Sequence, residues 1–171
     1  MDGSSISGFE VAVSREPDMN DPAQILKTTS KILLVDWPHK GVPRTLLEAG
    51  FDVFGYSPAG YTRAELAAAA PADVDARSVF APEKAGETRY LVFRRLAKPP
   101  SRVDLVHVHR PAAELADIFA SQVVPLGAKA LWLQPPLASE DARALASERG
   151  VAFVDGVDIV DAVRSSGRGK R

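Results

Sequence analysis

Asp36, His39, His107 and His109 are the residues whose types and spacing could move a proton, and they fall in two short segments, 36–40 and 107–111. A carboxylate beside an imidazole is the usual general acid–base pair. No hydroxyl near them stands at a recognisable nucleophile elbow, so Asp36, His39 and His109 make only a weak catalytic set. His107 and His109 lie two apart, on one face of a strand, where a histidine is more often a hydrogen-bonded structural residue. Two local imidazoles without a further carboxylate or thiolate at ligand spacing do not make a metal motif.

The second chemistry is phosphate recognition. A dinucleotide-binding turn uses glycines so that backbone N–H groups can approach a pyrophosphate at a helix N-terminus. Here the turn reads Asp36-Trp37-Pro38-His39-Lys40. A carboxylate at that place is unfavourable for an anion unless Lys40, Arg44 or Arg110 compensates. Alternatively, Asp36 turns inward, accepts hydrogen bonds from the loop backbone and holds the Trp37-Pro38 corner, which is the favoured reading. Trp37 either stacks on a planar base or lids a crevice, the lid being the simpler expectation.

The elements that must position these residues follow from the pattern. Residues 32–35 form an apolar run suited to a strand buried on both faces, Pro43 sits early in a helix, Gly50 closes it, and Val53 and Phe54 begin a second strand. Asp21-Pro22 starts a preceding helix with Ile25 and Leu26 on its apolar side. Thr62 with Glu65 reads as a capping box for a helix ended by Pro71, and 72–88 as a loop. Strands are expected at 90–93, 103–109, 128–133 and 151–154, with helices through Leu115, Ile118 and Phe119, from the Ser139 cap to Arg149, and over 158–164. This alternation implies an α/β fold, a Rossmann-like doubly wound, mostly parallel sheet with helices on both faces. Residues 1–20 read as a flexible extension, 21–164 as one domain and 165–171 as a basic disordered tail.

In such a sheet, ligands bind beyond the carboxyl ends of the strands where strand order reverses. With the order 3-2-1-4-5, segments 36–40 and 109–111 flank that point. The binding candidates are therefore Asp36, Trp37, Pro38, His39, Lys40, Ser57, Pro58, His109, Arg110, Pro111, Gln134 and Pro135. Arg63 is a further candidate for a phosphate.

Composition narrows the class. The chain has 171 residues, 46% hydrophobic, with 21 basic and 22 acidic residues, so no global basic field recruits nucleic acid or an anionic membrane. Absence of cysteine removes disulfides and thiolate chemistry and permits a cytoplasmic location. No signal-like start or membrane-length apolar stretch is expected.

Three segments carry a resemblance: Val103-Asp-Leu-Val-His-Val-His-Arg-Pro, Pro125-Leu-Gly-Ala-Lys-Ala-Leu-Trp-Leu-Gln and Ala144-Leu-Ala-Ser-Glu-Arg-Gly-Val-Ala-Phe-Val-Asp. Together they resemble the small CoA-binding domain proteins, stand-alone relatives of the amino-terminal domain of the succinyl-CoA synthetase alpha subunit, over roughly residues 21–164. The resemblance implies CoA held by the loops after the first and second strands and by those ending in Arg110-Pro111 and Gln134. This chain has Asp36-Trp37-Pro38 where the family commonly has small residues, and Pro135-Pro136 where it usually continues with glycine.

The expected function is non-catalytic binding of CoA, an acyl-CoA or a related nucleotide, in a regulatory or carrier role. Two alternatives remain. One is an NAD(P)-binding module, although Tyr56-Ser57 stands where a ribose-binding carboxylate belongs. The other is a degenerate domain that binds a protein partner. A homodimer would use an exposed edge strand or the face around Trp132.

Overall fold

The computed structural model describes residues 18–168. Its first helix, α1 (Pro22–Thr28), starts where Asp21 accepts the N–H of Ala23 and Pro22 fills the first turn, and it buries Ile25 and Leu26. Strand β1 (Lys31–Val35) is followed by α2 (Gly41–Glu48) and β2 (Asp52–Ser57), with Gly50 at φ 95° turning the chain between them. The remaining elements are β3 (Gly60–Ala67), β4 (Val79–Phe80), β5 (Tyr90–Arg95), β6 (Leu105–Val108), α3 (Leu115–Ile118), β7 (Ala130–Leu133), α4 (Glu140–Glu148), β8 (Ala152–Val154) and α5 (Ile159–Ser165). The Ser139 hydroxyl caps α4 by accepting the N–H of Ala142.

All eight strands form one sheet in the order β4-β5-β3-β2-β1-β6-β7-β8. The run β2-β1-β6-β7-β8 is parallel, whereas β3 is antiparallel to both β2 and β5, and β4 is antiparallel to β5. Alternate residues of β1 enter opposite cores. Ile32 and Leu34 pack with Leu26, Val42, Leu46 and Ile159 from α1, α2 and α5. Leu33 and Val35 pack with Leu115, Ile118, Ala142 and Ala146 from α3 and α4. The sheet is thus doubly wound, as the alternation of strands and helices implied.

Four expectations need correction. The Thr62/Glu65 capping box does not open a helix: the chain turns at 57–60 and returns as β3, where Arg63 pairs with Asp52 at 3.2 Å and Glu65 with Arg94 at 2.9 Å. Cross-strand partners override the helix propensity of the alanine-rich run. The 72–88 stretch contains β4, too short to leave a sequence signature. Trp132 is fully buried and donates Nε1–H to the Val157 carbonyl at 2.9 Å, so its face offers no dimer surface. The 3-2-1 part of the expected order is present, but β6 rather than a fourth strand follows β1, because β3 returns antiparallel beside β2 and β5 and β4 add outside it. At the chain ends, α5 runs to Ser165, and Arg168 donates to the carbonyls of Leu26 and Thr29 at 2.8 and 3.0 Å. Of the expected extension over 1–20, residues 1–17 lie outside the described residues, as do the last tail residues, 169–171. Asn20, at the other boundary, accepts the Phe153 N–H at 2.8 Å on the outer edge of β8.

Candidate functional site

From β1 the chain crosses one face through α2 to β2, and from β6 it crosses the other face through α3 to β7. The two connections part between β1 and β6, leaving a crevice there. Its volume is about 440 Å³, and it is lined by Asp36, His109, Arg110, Pro111, Pro136 and Leu137. Four of these are sequence candidates. Pro136 belongs to the strand end 134–136 but not to the candidate set, and Leu137 lies one residue beyond it; a cis peptide bond joins Pro135 to Pro136.

Asp36 sits at the end of β1 with φ 67°, the left-handed region in which glycine is at ease. The backbone therefore keeps a glycine-type conformation while carrying a carboxylate. Its Oδ1 accepts the Trp37 N–H at 2.8 Å, and its Oδ2 accepts from Arg110 Nη1 at 3.1 Å. Both bonds weighed for Asp36 are present, to the loop backbone and to Arg110, but the carboxylate does not turn inward: its side chain is 47% exposed at the crevice. Arg110 also donates Nε–H and Nη2–H to the two oxygens of Glu114, at 2.9 and 2.8 Å. Glu114 first and Asp36 second push the Arg110 pKa further up, and Arg110 pulls that of Glu114 down. One guanidinium against two carboxylates leaves the trio with net negative charge. Glu114 was missed as a site residue, although its spacing of four from Arg110, which lies just ahead of the short turn 112–114, was a usable signal.

The rest of the first loop turns away from the crevice. Trp37 neither stacks toward the opening nor lids it: its ring lies on Phe93, with centroids 5.1 Å apart and planes at 12°. Gly55 lies under the ring: a Cβ there would touch the indole at an ordinary 3.8 Å and would meet Thr62 Oγ1 at 2.8 Å. Pro38 is exposed. His39 Nδ1 accepts the Gly41 N–H at 3.2 Å, and the His39 carbonyl accepts that of Val42 at 3.2 Å. Pro43 has no N–H, so the first turn of α2 is largely satisfied from within. Lys40 pairs with Glu83 at 2.7 Å and lies over the Phe80 ring. Arg44 is buried and donates to the carbonyls of Arg89, Phe80 and Ala81, at 2.8, 3.1 and 3.1 Å. Neither Lys40 nor Arg44 compensates Asp36; Arg110 does. Arg63 is held by Asp52 at the start of β2, away from the strand ends. Ser57 and Pro58 are exposed at the tip of the β2–β3 turn, outside the crevice lining.

The family description "CoA binding domain" matches residues 36–160, from the aspartate that ends β1 to the first turn of α5. The chain belongs to the CoA binding domain family. Solved structures share the fold. A protein described as cell-free ID.343 from Thermus thermophilus is 19% identical, covering 88% of this chain and 99% of its own, with a TM-score of 0.56. Prb, described as a protein redesigned for binding, is 21% identical, covering 91% and 96%, with a TM-score of 0.60. A hypothetical protein from Pyrococcus horikoshii OT3 is 20% identical over 87% and 92%, with a TM-score of 0.55. No curated protein matches the chain.

In this CoA binding domain the carboxyl end of β7 is tied to the last helix. His107 is fully buried, and its Nε2 lies 2.9 Å from Gln134 Oε1. Gln134 Nε2 donates to Asp158 Oδ2 at 2.9 Å, and Asp158 Oδ1 accepts the N–H groups of Val160 and Asp161 at the start of α5. Because the Gln134 amide N–H faces a carboxylate, its oxygen faces His107, so His107 carries its proton on Nε2. Burial is the main cause that pushes the His107 pKa down to about 4. Burial works to raise the Asp158 pKa, but Gln134, the two backbone N–H groups and His39 together hold it below the usual range. The Gln134 side chain is thus committed inward, and His107 is a structural histidine. His109 lies in the crevice wall. Among the described residues, no three histidine, aspartate or glutamate side chains converge as a metal site would require.

Proposed function

We propose that this CoA binding domain holds CoA or an acyl-CoA in the crevice between β1 and β6, as a regulatory or carrier module without catalysis of its own. The crevice carries the reading: it lies at the switch point, inside the matched segment, and has the size of a small-molecule site. Arg110 would meet the ligand's phosphates. Pro111, Pro136 and Leu137 give an apolar wall for a pantetheine arm or acyl chain. The exposed Pro38 and His39 and the Ser57-Pro58 turn would border the ligand from outside the lining. Among the described residues no helix is long and apolar enough to cross a membrane, and a cytoplasmic nucleotide pool would supply the ligand.

NAD(P) has less behind it, since Ser57 rather than a carboxylate ends β2. A protein partner in place of a nucleotide is favoured by one observation, the internally satisfied first turn of α2, which withholds donors a diphosphate would use. Titration calorimetry with CoA, acetyl-CoA, NAD and NADPH tests these readings. CoA binding that weakens at least tenfold in Arg110→Ala supports the proposal. Folded protein that binds none of the four sinks it and favours the protein partner.

A further inference from the structure

We propose that Asp36 is an internal competitor for the ligand's phosphates and is the residue that sets the affinity and selectivity of the crevice; this rests on the crevice being the CoA site. Two donors converge on its carboxylate, the backbone N–H of Trp37 on Oδ1 and Arg110 Nη1 on Oδ2, at 2.8 and 3.1 Å. A backbone N–H at a strand-to-helix turn and a guanidinium are the donors that recognise a phosphate. Here they are already filled by an anion the chain supplies itself.

The geometry separates this role from plain bracing. Arg110 is anchored to Glu114 through Nε and Nη2, within its own turn, so Nη1 is the donor directed across the crevice to Asp36. A brace for the loop alone would need only the bond to Trp37. Asp36 also holds a left-handed backbone at φ 67°, so a glycine could replace it without moving the chain. The pair is accessible, with side chains 47% and 39% exposed for Asp36 and Arg110, and exposed ion pairs of this kind open easily. A ligand phosphate reaching Nη1 must displace the carboxylate and then bind beside its undiminished charge. Ligands that present phosphate are penalised, and ligands that present only a neutral arm are not.

The test is calorimetry with CoA and with pantetheine, which lacks phosphate, on wild type, Asp36→Asn, Arg110→Gln and the double variant. Asparagine tolerates the left-handed backbone and matches the shape while removing the charge. The expected result is CoA binding at least tenfold tighter in Asp36→Asn, with pantetheine changed less than twofold and the gain lost when Arg110 is also replaced. CoA bound by Asp36→Asn alone supports the same conclusion. Wild type and Asp36→Asn binding CoA within twofold of each other overturns the competitor role and leaves the CoA reading standing. An equal gain for pantetheine, or a gain that survives without Arg110, overturns it too. No CoA binding by either protein, with native circular dichroism, overturns both.

Discussion

The buried imidazole of His107 donates through Nε2 to Gln134 Oε1, 2.9 Å away, and leaves its Nδ1 without a hydrogen-bond partner. A second proton would have to enter on that enclosed nitrogen. In the folded chain the His107 pKa is pushed from 6.5 to about 4, chiefly by burial. Between those values the unfolded chain binds the proton and the folded chain does not, so stability falls as pH drops through this window and levels off below it. The loss from this group is roughly 3 kcal/mol at most. Urea unfolding at about pH 7 and about pH 4 should show wild type losing more stability than His107→Gln, which keeps a donor toward Gln134. Equal losses would remove His107 from the explanation.

Asp36 should respond to replacement according to backbone rather than charge alone. A residue with a Cβ in the left-handed region costs about 1–2 kcal/mol, which Asp36 offsets through Trp37 N–H and Arg110. Asp36→Ala keeps the strain and loses both bonds, and should destabilise by about 1–2 kcal/mol. Asp36→Gly relieves the strain and should stay within about 0.5 kcal/mol of wild type. Thermal unfolding of the two variants decides, and an alanine variant as stable as the glycine variant contradicts the argument.

Arg44 is the clamp on the segment that leads into β5. Its guanidinium holds the carbonyls of Phe80, Ala81 and Arg89, with Glu87 at 3.6 Å from Nε. Arg44→Met keeps the buried stem but abandons those carbonyls, and should cost about 3 kcal/mol. Hydrogen exchange and limited proteolysis should rise over residues 80–89 and stay unchanged in β6 and β7. Arg44→Lys should not restore protection, because one ammonium cannot span the three acceptors.

Gly55→Val should eject Trp37 from its seat. The new Cβ crowds Thr62 Oγ1 at 2.8 Å and already touches the indole at 3.8 Å, so the γ-methyls beyond it have no space beside the ring, at a cost of about 1–3 kcal/mol. Trp132 is fully enclosed, so a red shift in tryptophan emission reports Trp37. Unchanged emission with native stability would show that the strand relaxes around the added methyls.

What was legible in the sequence was what local pattern determines. The apolar runs of β1, β6 and β7, the Asp21-Pro22 and Ser139 starts and the Gly50 stop all follow from residues close in the chain. Strand β3 was illegible because its helix-like composition is overruled by partners on β2 and β5. The site divides in the same way. Strand ends gave Asp36, His109, Arg110 and Pro111 at the crevice. Which neighbours turn inward depended on groups far along the chain: Phe93 for Trp37, Glu83 for Lys40, Asp158 for Gln134. No spacing rule announces such partners.

Asn20 settles a matter beyond ligand chemistry. A terminal strand with a free outward N–H is a template on which a neighbouring molecule can lay its own backbone, and such growth ends in fibres. On β8 the outward N–H of Phe153 is already taken by the Asn20 side-chain oxygen, which accepts it at 2.8 Å. Among the described residues, that donor on the outer margin of the sheet is therefore closed to a neighbouring backbone.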